Sequence, residues 1–261
     1  MVRLSSLIVF LFMLTNSSVS LASIVTISQK PGRADNGAFG KLGANWEQKT
    51  GNTEKLALGG FFNGGYILDQ NSFLWLATIE EEKSLGVVTS ESSLLHLRHR
   101  YAFTDWLDSE MFVQQARNPF NRLKRRRLAG VGTRFSLQKA AETGLSLYFG
   151  LALMREHEVL ESAGEDAETT TDDGIYETRA SSYLFLTYDW GEGRTFNQTV
   201  YYQPLADYAK NFRSISQTSI TLPLTKTISF ELSYQFSRDS YPPEGVEPTD
   251  SQFKNSITLE L

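Results

Sequence analysis

Apolar and polar residues alternate along most of this chain with a period of two. In residues 144–155, Leu145, Leu147, Phe149, Leu151 and Leu153 fall on one side, and Ser146, Tyr148, Gly150 and Ala152 on the other. In residues 228–236, Ile228, Phe230, Leu232, Tyr234 and Phe236 oppose Ser229, Glu231, Ser233 and Gln235. Side chains of a strand point to its two faces in turn, so each such stretch predicts a strand with one apolar and one polar face. The pattern marks about twelve segments, ten to fourteen being the range it allows: 39–48, 54–66, 72–81, 92–103, two arms of 106–137, 144–155, 176–188, 195–203, 212–222, 228–236 and 252–261. Their lengths are near the ~9 to 11 residues that a tilted membrane strand needs.

The expected fold is all-β: a transmembrane antiparallel up-and-down β-barrel. An open sheet in hydrocarbon would leave two edges of unpaired N–H and C=O groups, each costing several kcal/mol, and closure removes both. The alternative is a secreted soluble β-barrel or sandwich that binds a ligand in an apolar interior. Between residues 92 and 103, Leu95, Leu97, His99, Tyr101 and Phe103 oppose His96, Arg98 and Arg100. In a soluble sheet that charged face would look at bulk water.

The ends divide the chain further. Residues 1–22, with Arg3, the apolar run Leu7 to Leu14 and the small residues around Ala22, read as a signal peptide. Residues 23–37 read as an exposed lead-in, and 38–261 as the barrel. With the first strand rising from the periplasm, the even-numbered connections, near Asp69, Thr104, Lys139, Gly191 and Thr225, are expected to be short, and most odd-numbered ones longer. Both termini then lie on the periplasmic side, and the apolar last strand resembles the signal read by the barrel assembly machinery.

Composition fits an exported membrane barrel. Aromatics reach 12% although mean hydropathy is slightly polar, as expected when every second residue faces lipid. Losing Arg3 with the signal peptide takes the net charge from −5 to −6, which argues against a nucleic-acid partner. Without cysteine there is neither a disulfide framework nor a thiolate metal site.

Three stretches resemble a known family. The Trp46 to Thr53 segment with Gly51-Asn52-Thr53, the Arg98 to Trp106 segment, and above all the block from Asn118 to Phe135 (NPFNRLKRRRLAGVGTRF) are similar to the YdiY-like, or salt-induced, outer-membrane proteins, a domain of unknown function. The resemblance implies a Gram-negative outer-membrane barrel with a link to salt stress. It supplies no catalytic residues.

Two sets of charged residues are candidate sites. Arg98, Arg100, Asp108, Glu110, Arg134 and Glu231 fall on the polar face, with Lys254 and Glu260, and would line a narrow lumen or lock it. Arg122, Lys124, Arg125, Arg126 and Arg127, following Arg117 with no acid among them, sit at a predicted outer turn where lipopolysaccharide phosphates are in reach. The competing reading is a solvated turn. Glu156, Glu158, Glu161, Glu165, Asp166, Glu168, Asp172 and Asp173 read as an acidic loop, whose carboxylates would be solvated or would hold divalent cations. No metal site, cofactor or catalytic set is expected. His96 and His99 point to opposite faces, His157 lies at the acidic loop, and no serine stands in a nucleophile motif. The functional expectation is a modest channel or an envelope-structural barrel linked to osmotic stress, with outer-membrane lipid and lipopolysaccharide as partners. The alternative is an outer-membrane lipid-modifying enzyme.

Overall fold

The computed structural model describes residues 36–49, 55–139, 144–160 and 174–261. The signal-peptide reading, most of the lead-in, the Gly51-Asn52-Thr53 turn and the acids between 161 and 173 lie outside the described residues. Twelve antiparallel strands close into one barrel, each pairing with its sequence neighbours and β1 with β12. They are β1 Gly37–Lys49, β2 Lys55–Leu68, β3 Asn71–Ser84, β4 Val87–Ala102, β5 Leu107–Asn118, β6 Leu123–Gln138, β7 Leu145–Leu160, β8 Ile175–Asp189, β9 Thr195–Pro204, β10 Phe212–Pro223, β11 Ile228–Asp239 and β12 Thr249–Glu260. The closing seam runs from Lys41↔Glu260 to Ala44↔Ile257, and Leu261 N–H donates to Gly40 O at 2.9 Å.

The alternation decides which face is which. Val113, Val131 and Leu153 point outward at 50%, 59% and 55% exposure, with Leu42, Leu58, Leu97 and Phe253 around the same belt. An apolar surface continuous around the molecule matches hydrocarbon and not water. Tyr66, Phe103, Trp106, Tyr188 and Trp190 border it at the short-turn end, the level at which amphipathic rings settle between lipid and water.

Inside, small residues make room for rings. Gly130 pairs with Phe112, and a Cβ on it would lie 2.3 Å from that ring. Gly150 pairs with Tyr183, whose ring would be 2.1 Å away. Both rings lie flat over neighbouring backbone only because glycine stands opposite them.

The strands run further toward the outer end than the alternation suggested. β3 and β4 join through Leu85 and Gly86, both at positive φ (50° and 78°), as a two-residue primed turn requires, where a longer loop was expected. The basic block also turns tightly. Asn118 caps a 3-10 turn at Pro119–Asn121, and Arg122, at φ 57°, closes it by donating its N–H to Pro119 O. The inner connections 69–70, 103–106, 139–144, 190–194 and 224–227 are short as expected. The long described outer connections, 205–211 and 240–248, lie between β9 and β12, so outer loop length is not uniform around the rim.

Candidate functional site: a divided lumen

The inner faces of β4 to β8 converge on Glu110. Arg100 Nε and Arg98 Nη1 pair with its carboxylate, the latter at 3.3 Å, and Tyr183 Oη donates to it at 2.8 Å. Tyr183 stands on β8 and Glu110 on β5, so this last bond is a chord across the lumen and not a contact along the wall. Arg98 lies over the rings of Phe112 (5.1 Å) and Tyr183 (5.8 Å) and donates Nε to His96 Nε2 at 3.3 Å. His96 Nδ1 meets Gln114 Oε1 at 3.1 Å. Beside them Arg134 pairs with Asp108 at 2.7 Å and stacks on Tyr148 at 4.4 Å.

A second cluster centres on Glu156, nearer the outer end. Arg126 Nη2, Arg179 Nε (2.6 Å) and Arg213 Nη1 (3.3 Å) all reach this one carboxylate. Arg213 also pairs with Asp239 at 2.8 Å and Glu158 at 2.9 Å, and Arg179 with Glu177 at 2.7 Å. In the two clusters Arg98, Arg100, Arg126, Arg134, Arg179 and Arg213 face Asp108, Glu110, Glu156, Glu158, Glu177 and Asp239, six charges of each sign. Buried ions are tolerable only with such mutual pairing. A cavity of about 20 Å³ between the clusters, touched by Glu110, Arg126 and Gln203, has room for about one water.

The other side of the lumen is different. The inner faces of β10 to β12 carry Ser219, Thr221, Ser229, Ser233, Gln235, Ser237, Ser256 and Thr258. Arg213 and Asp239, on the same faces, belong to the second cluster; the other described ion pairs on this side are Lys41 with Glu231 and Lys254 with Glu80. Their side chains are 17–30% exposed, against 1% for Glu110 and 0% for Glu156.

All six lumen candidates therefore point inward, but they divide. Arg98, Arg100 and Glu110 are buried within the first cluster, while the Glu231 side chain is 17% exposed. Lys254 joins the accessible side, and Glu260 is exposed at the barrel end.

Two readings need correction. Arg126 does not face the outer leaflet: at 1% exposure its side chain points into the barrel, because the alternation of β6 runs unbroken from Arg134 through Gly132, Gly130 and Leu128 to Arg126. Glu156 and Glu158 are not loop residues, since β7 continues to Leu160 and turns both into the lumen. The sequence signal for this was available: Glu156 keeps the parity of Ser146, Tyr148 and Ala152. Of the arginines that meet it, Arg179 stands on the neighbouring strand β8, while Arg213 lies on β10, too distant in sequence for the pattern to connect.

The remaining basic candidates face outward or sit at the turn. Arg122 donates to Glu244 O at 2.7 Å and Arg127 to Gln115 Oε1 at 2.9 Å; Lys124 is exposed and Arg125 half-buried. His157 lies on β7 and stacks on Tyr176 at 4.2 Å. Among the described residues, no group of three or more His, Asp or Glu side chains is arranged to hold a metal ion.

No curated protein matches this sequence. Among solved structures the chain is similar to the NanC porin, with a TM-score of 0.50 and 10% identity over 85% of this chain and 100% of that chain. The KdgM porin gives 0.42 and 8% identity over 86% and 99%, and the translocator domain of the autotransporter NalP from Neisseria meningitidis gives 0.44 and 10% over 85% and 85%. Identities this low speak to fold alone. The match to the family model described as "Protein of unknown function, DUF481" spans residues 41–260, so this closed, lipid-facing barrel of the bacterial outer membrane belongs to that family.

Proposed function

We propose that the protein is a non-enzymatic barrel with a narrow, off-centre passage for small hydrophilic solutes or ions, running along β1 and β10 to β12. The observation that carries this reading is the split in exposure. The side chains that meet at Glu110 and Glu156 are at most 9% exposed, with Arg134, Asp108, Glu158 and Glu177 at 13–26% on the margin of the clusters, while Lys41, Glu231, Lys254 and Glu80, at 17–30%, remain in contact with accessible space. In a channel lined by uncharged polar groups, two such bridges set the local potential that a passing ion meets. The sealed side acts as a buttress that narrows the lumen. Assembly through the apolar strand β12 and residence among outer-leaflet lipids belong to the same reading.

Single-channel recording in planar bilayers tests it. Small discrete steps are expected, and Lys41→Glu combined with Lys254→Glu should shift ion preference toward cations. Verified insertion without steps would overturn the channel. It would support a second reading, favoured by the Tyr183–Glu110 chord: an envelope-structural barrel whose lumen is closed. The salt link carried by the family resemblance fits either reading, and unchanged growth of a deletion strain at high osmolarity would sink it. Catalysis is not part of the proposal, because His96 is held by Gln114 and Arg98 and touches no nucleophile.

A further inference from the structure

The outer wall of β3 to β8 is not uniformly convex. A concavity of about 880 Å³ crosses it, lined by Met111, Val113, Ala129, Val131 and Leu153 and ending at Arg155. Its course follows the pairing rows, in which Trp75↔Leu97, Leu97↔Val113, Val113↔Ala129 and Ala129↔Arg155 are cross-strand partners. Trp75 lies close to the inner turn at 69–70, whereas Arg155 lies near the far end of β7. The groove therefore climbs from near the inner turns toward the outer rim, mostly apolar, with His99 in its inner part and Arg155 and Thr178 at its outer end.

Three arginines stand near that rim on successive strands, Arg117 on β5, Arg127 on β6 and, one same-face step off its row, Arg155 on β7, all exposed and all outward. Arg117 pairs with Glu91 at 2.8 Å. The described partners of the other two are neutral: Gln115 for Arg127, and Thr178 (2.8 Å) with the Tyr176 ring (5.7 Å) for Arg155. Two cations with neutral partners, set directly above an apolar channel on a lipid-facing wall, complement a head group that is anionic and chains that are apolar.

From this we infer that the wall binds one molecule of a phosphorylated, multi-acyl glycolipid of the outer leaflet, its phosphate on Arg127 and Arg155 and an acyl chain in the groove over Ala129. Guanidinium recognises phosphate through paired charge-assisted hydrogen bonds, and the groove fixes the chain that bulk lipid would leave free. The inference keeps Arg127 of the basic candidates and sets Arg155, on the wall below the turn, in place of the others. It rests on the outer-membrane placement and not on conduction, so a silent bilayer leaves it standing.

The test is native mass spectrometry of the full barrel in detergent, offered bis-phosphorylated lipid A, the same lipid A with its phosphates removed, and phosphatidylglycerol. Wild type should retain one bis-phosphorylated molecule through gas-phase release. Arg127→Gln with Arg155→Gln should weaken that retention by about tenfold or more, as loss of charge-assisted contacts implies. Ala129→Trp, which fills the groove and leaves both cations in place, should weaken it as well. Heat-modifiable migration in gels verifies that each variant is folded. Equal retention of dephosphorylated lipid A would overturn the phosphate site, as it would if the acids of 161–173 already neutralise these arginines. Equal retention of phosphatidylglycerol would overturn the glycolipid assignment, and a dimer mass in place of a lipid adduct would give the groove to a second copy of the chain.

Discussion

The two sides of the lumen use the same chemistry to different ends. Under β4 to β10, arginine and carboxylate meet at 0–9% exposure around Glu110 and Glu156, three arginines sharing one carboxylate in the second case. Under β10 to β12 and β1, lysine and glutamate meet at 17–30% exposure among serine, threonine and glutamine. An ion pair sealed from water is costly to form and costlier to break, because removing one partner strands the other. A pair in contact with water contributes little to stability and keeps its field available to whatever passes. Residue choice follows the same division: the planar, multiply donating guanidinium occupies the sealed side and the flexible ammonium the wet one.

Substitutions can break this comparison. Glu156→Gln, which leaves Arg126, Arg179 and Arg213 facing a neutral amide, should cost the most, about 3–5 kcal/mol. The cost is read from guanidinium unfolding of the vesicle-inserted barrel, and a loss below about 1 kcal/mol would show that water reaches this cluster. Tyr183→Phe removes the chord to Glu110 and should cost about 1.5–3 kcal/mol, the range for a hydrogen bond to a charged group. Gly150→Ala should destabilise by a similar or smaller amount, about 1–3 kcal/mol, by pushing on the Tyr183 ring. If Gly150→Ala costs the same with Tyr183 already replaced by leucine, ring crowding is not the cause.

On the wet side, Lys254→Gln or Lys41→Gln should change stability by less than about 1 kcal/mol while altering ion preference in the bilayer. Comparable losses on the two sides would collapse the distinction between buttress and passage. The smallest effect belongs to Arg127→Gln on the outer wall, within about 0.5 kcal/mol, because its side chain is exposed and its partner is Gln115. A large loss there would mean that the rim arginines hold the barrel together and do not recognise lipid.

Much of the architecture is legible in the alternation itself. A strand's two faces are written at every second residue, so Leu145 to Leu153 and Ile228 to Phe236 declare both a strand and a wet interior without any knowledge of neighbours. The same parity identifies Arg98, Arg100, Asp108, Glu110, Arg134 and Glu231 as inward. Local runs are less reliable guides. The basic stretch around Arg126 and the acidic stretch opening at Glu156 read as loops because dense charge ordinarily marks solvent. In the barrel β6 carries Arg126 and β7 carries Glu156 and Glu158, and parity sends these three inward while Arg127 stays out.

What the sequence determined alone is thus period, parity, the apolar belt and a strand count within ten to fourteen, since each rests on interactions within a few residues or with a uniform lipid surround. Tertiary structure alone decided which charges meet. Glu156 finds Arg213, and Glu110 finds Tyr183, only because closure brings strands that are not paired with each other to face one lumen. The groove below Arg155 arises the same way, from pairing rows that climb across six strands. Alternation fixes the side on which a residue lies; pairing register and barrel closure fix what it faces there.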